Sequence, residues 1–92
     1  MKIERTNQFL KDFKRLKKKH YDMTKLREVI NLIVDGKKET LYHRYKNHYL
    51  QGKYKSYQEC HIEPDWLLIY KINDKCLTLV LTRTGSHDDL FR

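Results

Sequence analysis

One proline and three glycines are the only strong chain breakers in 92 residues, and no linker, low-complexity tract or internal repeat divides the sequence. A chain this short can bury one modest core, so residues 1–92 are expected to form a single domain. Cysteine is equally scarce. The two present lack CxxC spacing, which points to reduced thiols rather than a disulfide framework. No apolar run is long enough for a signal-peptide core or a membrane span, so a soluble, cytoplasmic protein without a membrane partner is expected. The histidines include no compact HxH or HxxxH pair. An arginine beside a bound cation would be unfavourable, and neither a metal nor another cofactor is expected.

Acidic residues are also in deficit, 12 against 20 Lys and Arg, for a net charge of +8. The excess is +6 in residues 1–20 and +3 in residues 41–60, whereas residues 61–92 carry −1. A charge of this sign and size suits a polyanion such as RNA, DNA or an acidic protein segment; a merely soluble basic domain is the plainer account.

What is present is organised around residues 56–71. Pro64 presets φ for a turn, pushes Glu63 into an extended conformation and is followed by a turn-forming Asp65, so Glu63-Pro64-Asp65-Trp66 reads as the bend of a hairpin. With Glu63 opposite Trp66, alternation assigns Cys60, Ile62, Leu67 and Ile69 to a core face. Tyr57, Glu59, His61, Trp66, Leu68 and Tyr70 fall on the other.

Ahead of the hairpin, residues 2–5 allow a short first strand. Thr6 or Asn7 can cap a helix whose Phe9, Leu10, Phe13 and Leu16 form one apolar stripe, with a basic back that includes Lys14, Arg15 and Lys18. Asp22 caps a second helix carrying Leu26, Val29, Ile30 and Ile33, and Gly36 supplies its left-handed stop. The short link at His20 and Tyr21 makes the two an antiparallel pair. Residues 37–55 interleave aromatics, histidines and basic residues without a period and read as a long loop. Lys46, Lys53 and Lys55 suit phosphates there, and tyrosine rings suit bases or simple packing.

Asn73-Asp74 marks a further turn before a third strand over residues 75–83. Placing Leu77, Leu79 and Leu81 in the core requires a bulge, or the strand's end, for Arg83 to reach the His61 face. Ser86 can cap a last helical turn carrying His87, Leu90 and Phe91. The sum is an α+β domain: an N-terminal helical hairpin packed on one face of a small, mainly antiparallel sheet whose other face is open.

His48, His61, Asp65 and His87 can converge on that open face, with Arg83 as the natural cation. Histidines serve as base and acid near neutrality and arginine clamps phosphate, which suits metal-free RNA cleavage. Polar strand positions and turn chemistry account for His61 and Asp65 just as simply. His20 and His43 read as surface or helix-end histidines.

Three segments together resemble the YafQ branch of the RelE-like bacterial toxins: His48-Tyr-Leu-Gln-Gly52, Tyr57 to Tyr70, and Arg83-Thr-Gly-Ser-His87 with Leu90-Phe91. The resemblance implies a RelE-like fold and a type II toxin–antitoxin toxin, a ribosome-dependent endoribonuclease cutting messenger RNA in the A site. It also implies a cognate antitoxin as partner, with operator DNA reached only through that antitoxin. By the same resemblance His87 is the general acid, His48 or Asp65 the base, His61 and Arg83 orient the phosphate, and Phe91 stacks on a base. A non-catalytic RNA- or protein-binding module and a metal-dependent hydrolase are the rival readings.

Overall fold

The computed structural model describes residues 1–91. In chain order the elements are β1 (Lys2–Arg5), α1 (Asn7–Lys18), α2 (Met23–Val34), α3 (Lys38–Tyr45), β2 (His48–Tyr49), a 3-10 turn (Gly52–Tyr54), β3 (Gln58–Glu63), β4 (Trp66–Asn73), β5 (Thr78–Gly85) and α4 (His87–Phe91). The strands form one sheet ordered β1-β5-β4-β3-β2, antiparallel except for β1, which lies parallel to β5. This is the expected α+β architecture. No helix among the described residues is long and apolar enough to cross a membrane.

The first two helices begin and end where side-chain chemistry puts them. Thr6 accepts the Phe9 N–H and caps α1, Asp22 accepts the Thr24 N–H and caps α2, and Gly36 at φ 69° closes α2. Phe9, Leu16, Leu26, Val29 and Ile33 turn inward against Cys60, Leu68, Tyr70, Leu79 and Leu81 of the sheet. Truncating one of these leucines to alanine typically costs about 2–5 kcal/mol. Burial pushes the Cys60 thiol up to about 12, so it packs as an inert apolar group.

Residues 37–55 are not the loop their composition suggests. They form α3, β2 and the 3-10 turn. In α3 only Leu41 is fully buried, so no apolar period announces the helix. Glu39 in its first turn and Arg44 in its last nevertheless match the helix dipole. Lys46, in a left-handed conformation at φ 53°, ends it where glycine would be usual.

Two bulges decide what faces the solvent. The Glu63-to-Trp66 bend is as expected, but Ile62 is an extra residue, because His61 pairs with Leu67 while Glu63 pairs with Trp66. Every side chain of β4 is thereby turned over relative to simple alternation. Trp66, Leu68 and Tyr70, expected on the His61 face, are core, and Leu67 and Ile69, expected in the core, are on the His61 face. The inversion buries the Trp66 indole against Tyr21, edge-on at 5.0 Å, and lets its N–H donate to Thr84 Oγ1.

The second bulge, at Thr82, lies between the Tyr70–Leu81 and Ile69–Arg83 pairs. It keeps Leu79 and Leu81 in the core and delivers Arg83 to the opposite face, as expected. Leu77 is not core, however. It is 63% exposed at φ 47° in a four-residue turn, whose Asn73 side chain accepts the Lys75 and Cys76 N–H groups, and the strand starts only at Thr78.

Gly85 ends β5 at φ 153°, and a Cβ there would lie 2.9 Å from both Arg15 Nη2 and Asp89 Oδ2. Gly85→Ala is expected to destabilise the fold by about 1–3 kcal/mol and to displace α4. Thermal unfolding together with the His87 imidazole NMR shifts would check both effects.

Candidate active site

The bulged register aligns one row of side chains across the open face: His48, Glu59, Ile69 and Arg83 are successive partners on β2, β3, β4 and β5. His61, Leu67 and Gly85 form the next row toward the Pro64 bend. The chain turns at Gly85 into α4, which sets His87 beside His61. The His48 and His61 rings are 6.4 Å apart and the His61 and His87 rings 5.8 Å apart, so the three imidazoles form one continuous line. Phe91 follows, 6.5 Å beyond His87.

Each histidine is held by its neighbours. Asn47, just before His48, is locked from below: Tyr70 donates its hydroxyl to Asn47 Oδ1 at 2.6 Å, and Asn47 Nδ2 donates to Gln58 Oε1 at 2.9 Å. His48 Nδ1 lies 2.8 Å from the Lys46 carbonyl. A carbonyl only accepts, so Nδ1 carries a hydrogen, and in the neutral ring the lone pair is on Nε2. That Nε2 faces Glu59 Oε1 at 3.5 Å, and His61 Nε2 faces the same oxygen at 3.6 Å. Glu59 is buried to 6% exposure between the two rings.

At the other end, the backbone N–H of His87 and its ring Nδ1 both meet Asp65 Oδ1, at 3.0 and 2.7 Å. These bonds, the backbone one first, hold the Asp65 carboxyl below its ordinary value, so it is ionised at neutral pH and takes the Nδ1 hydrogen. Nε2 of His87 is then the ring nitrogen without a hydrogen-bond partner among the described residues. Ser86 and Asp89 fix α4 through a reciprocal capping box: Ser86 Oγ accepts the Asp89 N–H and Asp89 Oδ2 accepts the Ser86 N–H, each at 3.1 Å.

Arg83 shares the face but not the line of rings. It stands three strand spacings, roughly 14 Å, from His48, and Asp12 of α1 holds it from behind. Asp12 Oδ2 accepts from Arg83 Nε at 3.0 Å and Oδ1 from Nη2 at 3.1 Å. Asp12 is fully buried and also accepts the Thr84 N–H, on the edge of β5 that β1 leaves uncovered, and Arg15 Nη1. Burial raises its pKa, yet Arg83, Thr84, Gln8 and Arg15 together outweigh burial and hold the carboxyl below its usual range.

Arg15 itself, expected among the RNA-binding residues, is half-buried and bridges Asp12 and Asp89, so it belongs to the scaffold. Lys14, Lys18, Lys46, Lys53 and Lys55 are exposed. His20 and His43 are exposed too, the first at a left-handed helix end.

Glu59 and Asp12 are the two residues of this arrangement that residue-by-residue reading did not assign. Glu59 sits on the His61 face by plain alternation. Asp12 occupies a core-facing helical phase, three residues after Phe9 and four before Leu16, where an acid needs a buried partner.

A family model described as the bacterial toxin of a type II toxin–antitoxin system, YafQ, matches residues 1–92. The chain belongs to the YafQ family. It is 45% identical over 89 residues to the mRNA interferase toxin YafQ of Escherichia coli K12, covering 97% of this chain and 94% of that one. Among solved structures it is similar to YafQ in the E. coli DinJ-YafQ toxin-antitoxin complex, with TM-score 0.86, 43% identity and coverage of 98% and 96% of the two chains. A metal-bound toxin from Helicobacter pylori is also similar, with TM-score 0.88, 40% identity and coverage of 99% of each chain. The YafQ family thus extends to the whole sheet and to both ends of the histidine line.

Proposed function

We propose that this chain is the toxin of a type II toxin–antitoxin pair, an endoribonuclease that cuts messenger RNA in the ribosomal A site by general acid–base catalysis. The observation that carries this reading is the line of three imidazoles, with His48 and His87 on either side of His61. His48 is the base. Its Nε2 lone pair takes the 2′-hydroxyl proton as the 2′-oxygen attacks phosphorus, and Glu59 then pairs with the imidazolium. Asp65 is the poorer base, because its bonds to the His87 backbone and ring hold its carboxyl below the ordinary value and so lower its affinity for a proton. His87 protonates the departing 5′-oxygen from Nε2 while Asp65 holds its Nδ1 hydrogen, giving a 2′,3′-cyclic phosphate and a free 5′-hydroxyl. His61 and Arg83 orient and neutralise the phosphate, and Phe91 stacks on a base. In-line displacement needs base and acid on opposite sides of phosphorus, which is the arrangement the two ends of the line supply.

Mapped 5′ ends of message in a translating extract test this directly. Cuts within translated sequence are expected, and intact message with this chain present would overturn the reading. The Helicobacter pylori relative was solved with metal. Here His48 and His61 both aim Nε2 at one glutamate oxygen, and the acid–base scheme above gives every proton transfer to a protein side chain. Cleavage is therefore expected to persist with a chelator of zinc and copper that spares the magnesium ribosomes need. Loss of cleavage, restored by added zinc or copper, would count against the protein-only mechanism.

The exposed lysines Lys14, Lys18, Lys46, Lys53 and Lys55 suit ribosomal RNA in the cytoplasm. An acidic antitoxin would cover part of the same surface and reach operator DNA on the pair's behalf. The E. coli relative was solved with the antitoxin DinJ. Ribosome binding should weaken steeply with salt, each phosphate contact adding about 0.7–0.9 to the log–log slope. Replacing Lys53 and Lys55 together by glutamine is expected to lower that slope by roughly 1.5, and an unchanged slope would remove them from the interface.

A further inference from the structure

Beside the histidine line, Leu50, Tyr54 and Tyr57 from the segment after β2, Ile69 and Arg83 from the sheet, and Phe91 from α4 enclose a cleft of about 240 Å³. Among the described residues no acidic side chain lines it. We propose that this cleft is a reading pocket for the nucleobase next to the scissile phosphate, in which Tyr54 and Tyr57 act with Phe91 to set where the message is cut. The proposal rests on the nuclease reading above and adds to it the residues that would choose the substrate.

Three observations support a base as the occupant. The first is wasted aromatic surface. Phe91 is 54% exposed and Tyr54 51% exposed, whereas Phe9 is buried, and apolar rings left in water beside a reactive centre gain free energy only when something stacks on them. The second is the rim. Lys53 Nζ stands 5.3 Å from the Tyr54 ring centroid and Lys71 Nζ 5.1 Å from that of Tyr57, so each ring is paired with a cation that can meet a phosphate while the ring meets a base. That combination suits single-stranded RNA and repels a cationic or basic peptide ligand.

The third is continuity with the reaction centre. Phe91 is one helical turn from His87, their rings 6.5 Å apart. Leu50 is two residues from His48, and its N–H is tied to the Tyr57 carbonyl at 2.9 Å. Arg83 closes the cleft on the sheet side. Asp12 occupies its Nε and Nη2, which leaves Nη1 as its unengaged end. A nucleotide whose phosphate lies against His61 and His87 and meets Arg83 can drop its base among the rings without leaving the protein surface. Because the walls are apolar, discrimination would come from stacking and shape more than from hydrogen bonds to base edges.

Tyr54→Ala, Tyr57→Ala and Tyr54→Phe, assayed by 5′-end mapping in translating extract beside the unaltered chain and His87→Ala, test the pocket. Tyr54 is half in water, so its truncation should leave the fold intact, which a melting curve checks. The two alanine variants are expected to cut still, with the nucleotide context of the cuts broadened and cleavage at the preferred positions reduced about 10-fold or more. Tyr54→Phe should keep the original pattern. Unchanged rate and context in both alanine variants would overturn the pocket. So would an equal loss at every position with the context unchanged, which would make the tyrosines scaffold or general RNA contacts. Failure of the unaltered chain to cut, or cutting that survives His87→Ala, would overturn the nuclease reading instead.

Discussion

Replacing His87 by alanine should lower message cleavage by about 10²–10⁴-fold, the usual contribution of one positioned acid or base, while the melting temperature hardly moves. The side chain can be removed cheaply. It is 52% exposed and its ion-pair partner Asp65 is 70% exposed, and an ion pair between groups so wet adds little to stability. The Ser86–Asp89 capping box that holds α4 does not involve the ring. Ribosome binding should survive for the same reason, since the exposed lysines are untouched. Cosedimentation with ribosomes and 5′-end mapping on one preparation separate the two enzymatic steps. A His87→Ala chain that binds and cuts as before would return the protein to the class of basic binding modules. Asp65→Asn is the companion variant. An amide no longer holds the Nδ1 hydrogen as a carboxylate does, so the rate should fall and the alkaline limb of its pH profile should move, with the fold again preserved.

The parts of this arrangement that were legible from residues alone are those fixed by local chemistry. Thr6, Asp22 and Ser86 are caps with a donor to satisfy, Gly36 is a left-handed stop, and Pro64 allows only one kind of bend. The spacing of Leu26, Val29 and Ile33 has no other period to fit. What escaped is set by tertiary accounting. A single extra residue, Ile62, reverses the faces of β4, and nothing in the hairpin's composition distinguishes the bulged pairing from the plain one until the Trp66 indole has to find Tyr21 and Thr84. At Thr82 the same device was inferable, because three leucines and an arginine alternate in a way no regular strand can satisfy. Helix α3 has no apolar period, because it buries only Leu41 fully. His48 was recognisable by its residue type and by resemblance, but its tautomer depends on the Lys46 carbonyl, which only the folded turn brings close. Asp12 lies in a helix crowded with lysines, where an acid looks like ordinary surface charge balance.

Asp12 is nevertheless where a single substitution should cost most in stability. Its carboxylate has no exposed surface, while Arg15 and Arg83 keep 33% and 30% of their side chains in water. Asp12→Ala strands the Thr84 N–H, leaves the Arg83 guanidinium without its counter-ion and leaves Arg15 with Asp89 alone. Because both arginines can reach solvent, the expected loss is about 3 kcal/mol, the low end for breaking a buried pair. In a domain of this size that corresponds to a fall of about 12–24 °C in Tm. The carboxyl is held below its ordinary 3.8 in the folded chain. Its contribution is therefore complete above that value and disappears as pH falls through the lower folded-state value, since the unfolded chain then binds the proton first. The unaltered chain should lose stability on acidification below about pH 4, and Asp12→Ala should be flatter over the same range. Equal acid sensitivity in both chains would mean that other carboxylates carry the effect. At temperatures where Asp12→Ala is still folded, cleavage should also fall, because Arg83 is no longer pinned by two bonds from behind. Asp12→Glu, which keeps the charge but lengthens the reach, should recover part of the acid dependence but not the rate. A charge in the wrong place can restore the ion pair without restoring the direction in which Arg83 presents its free nitrogen to the phosphate.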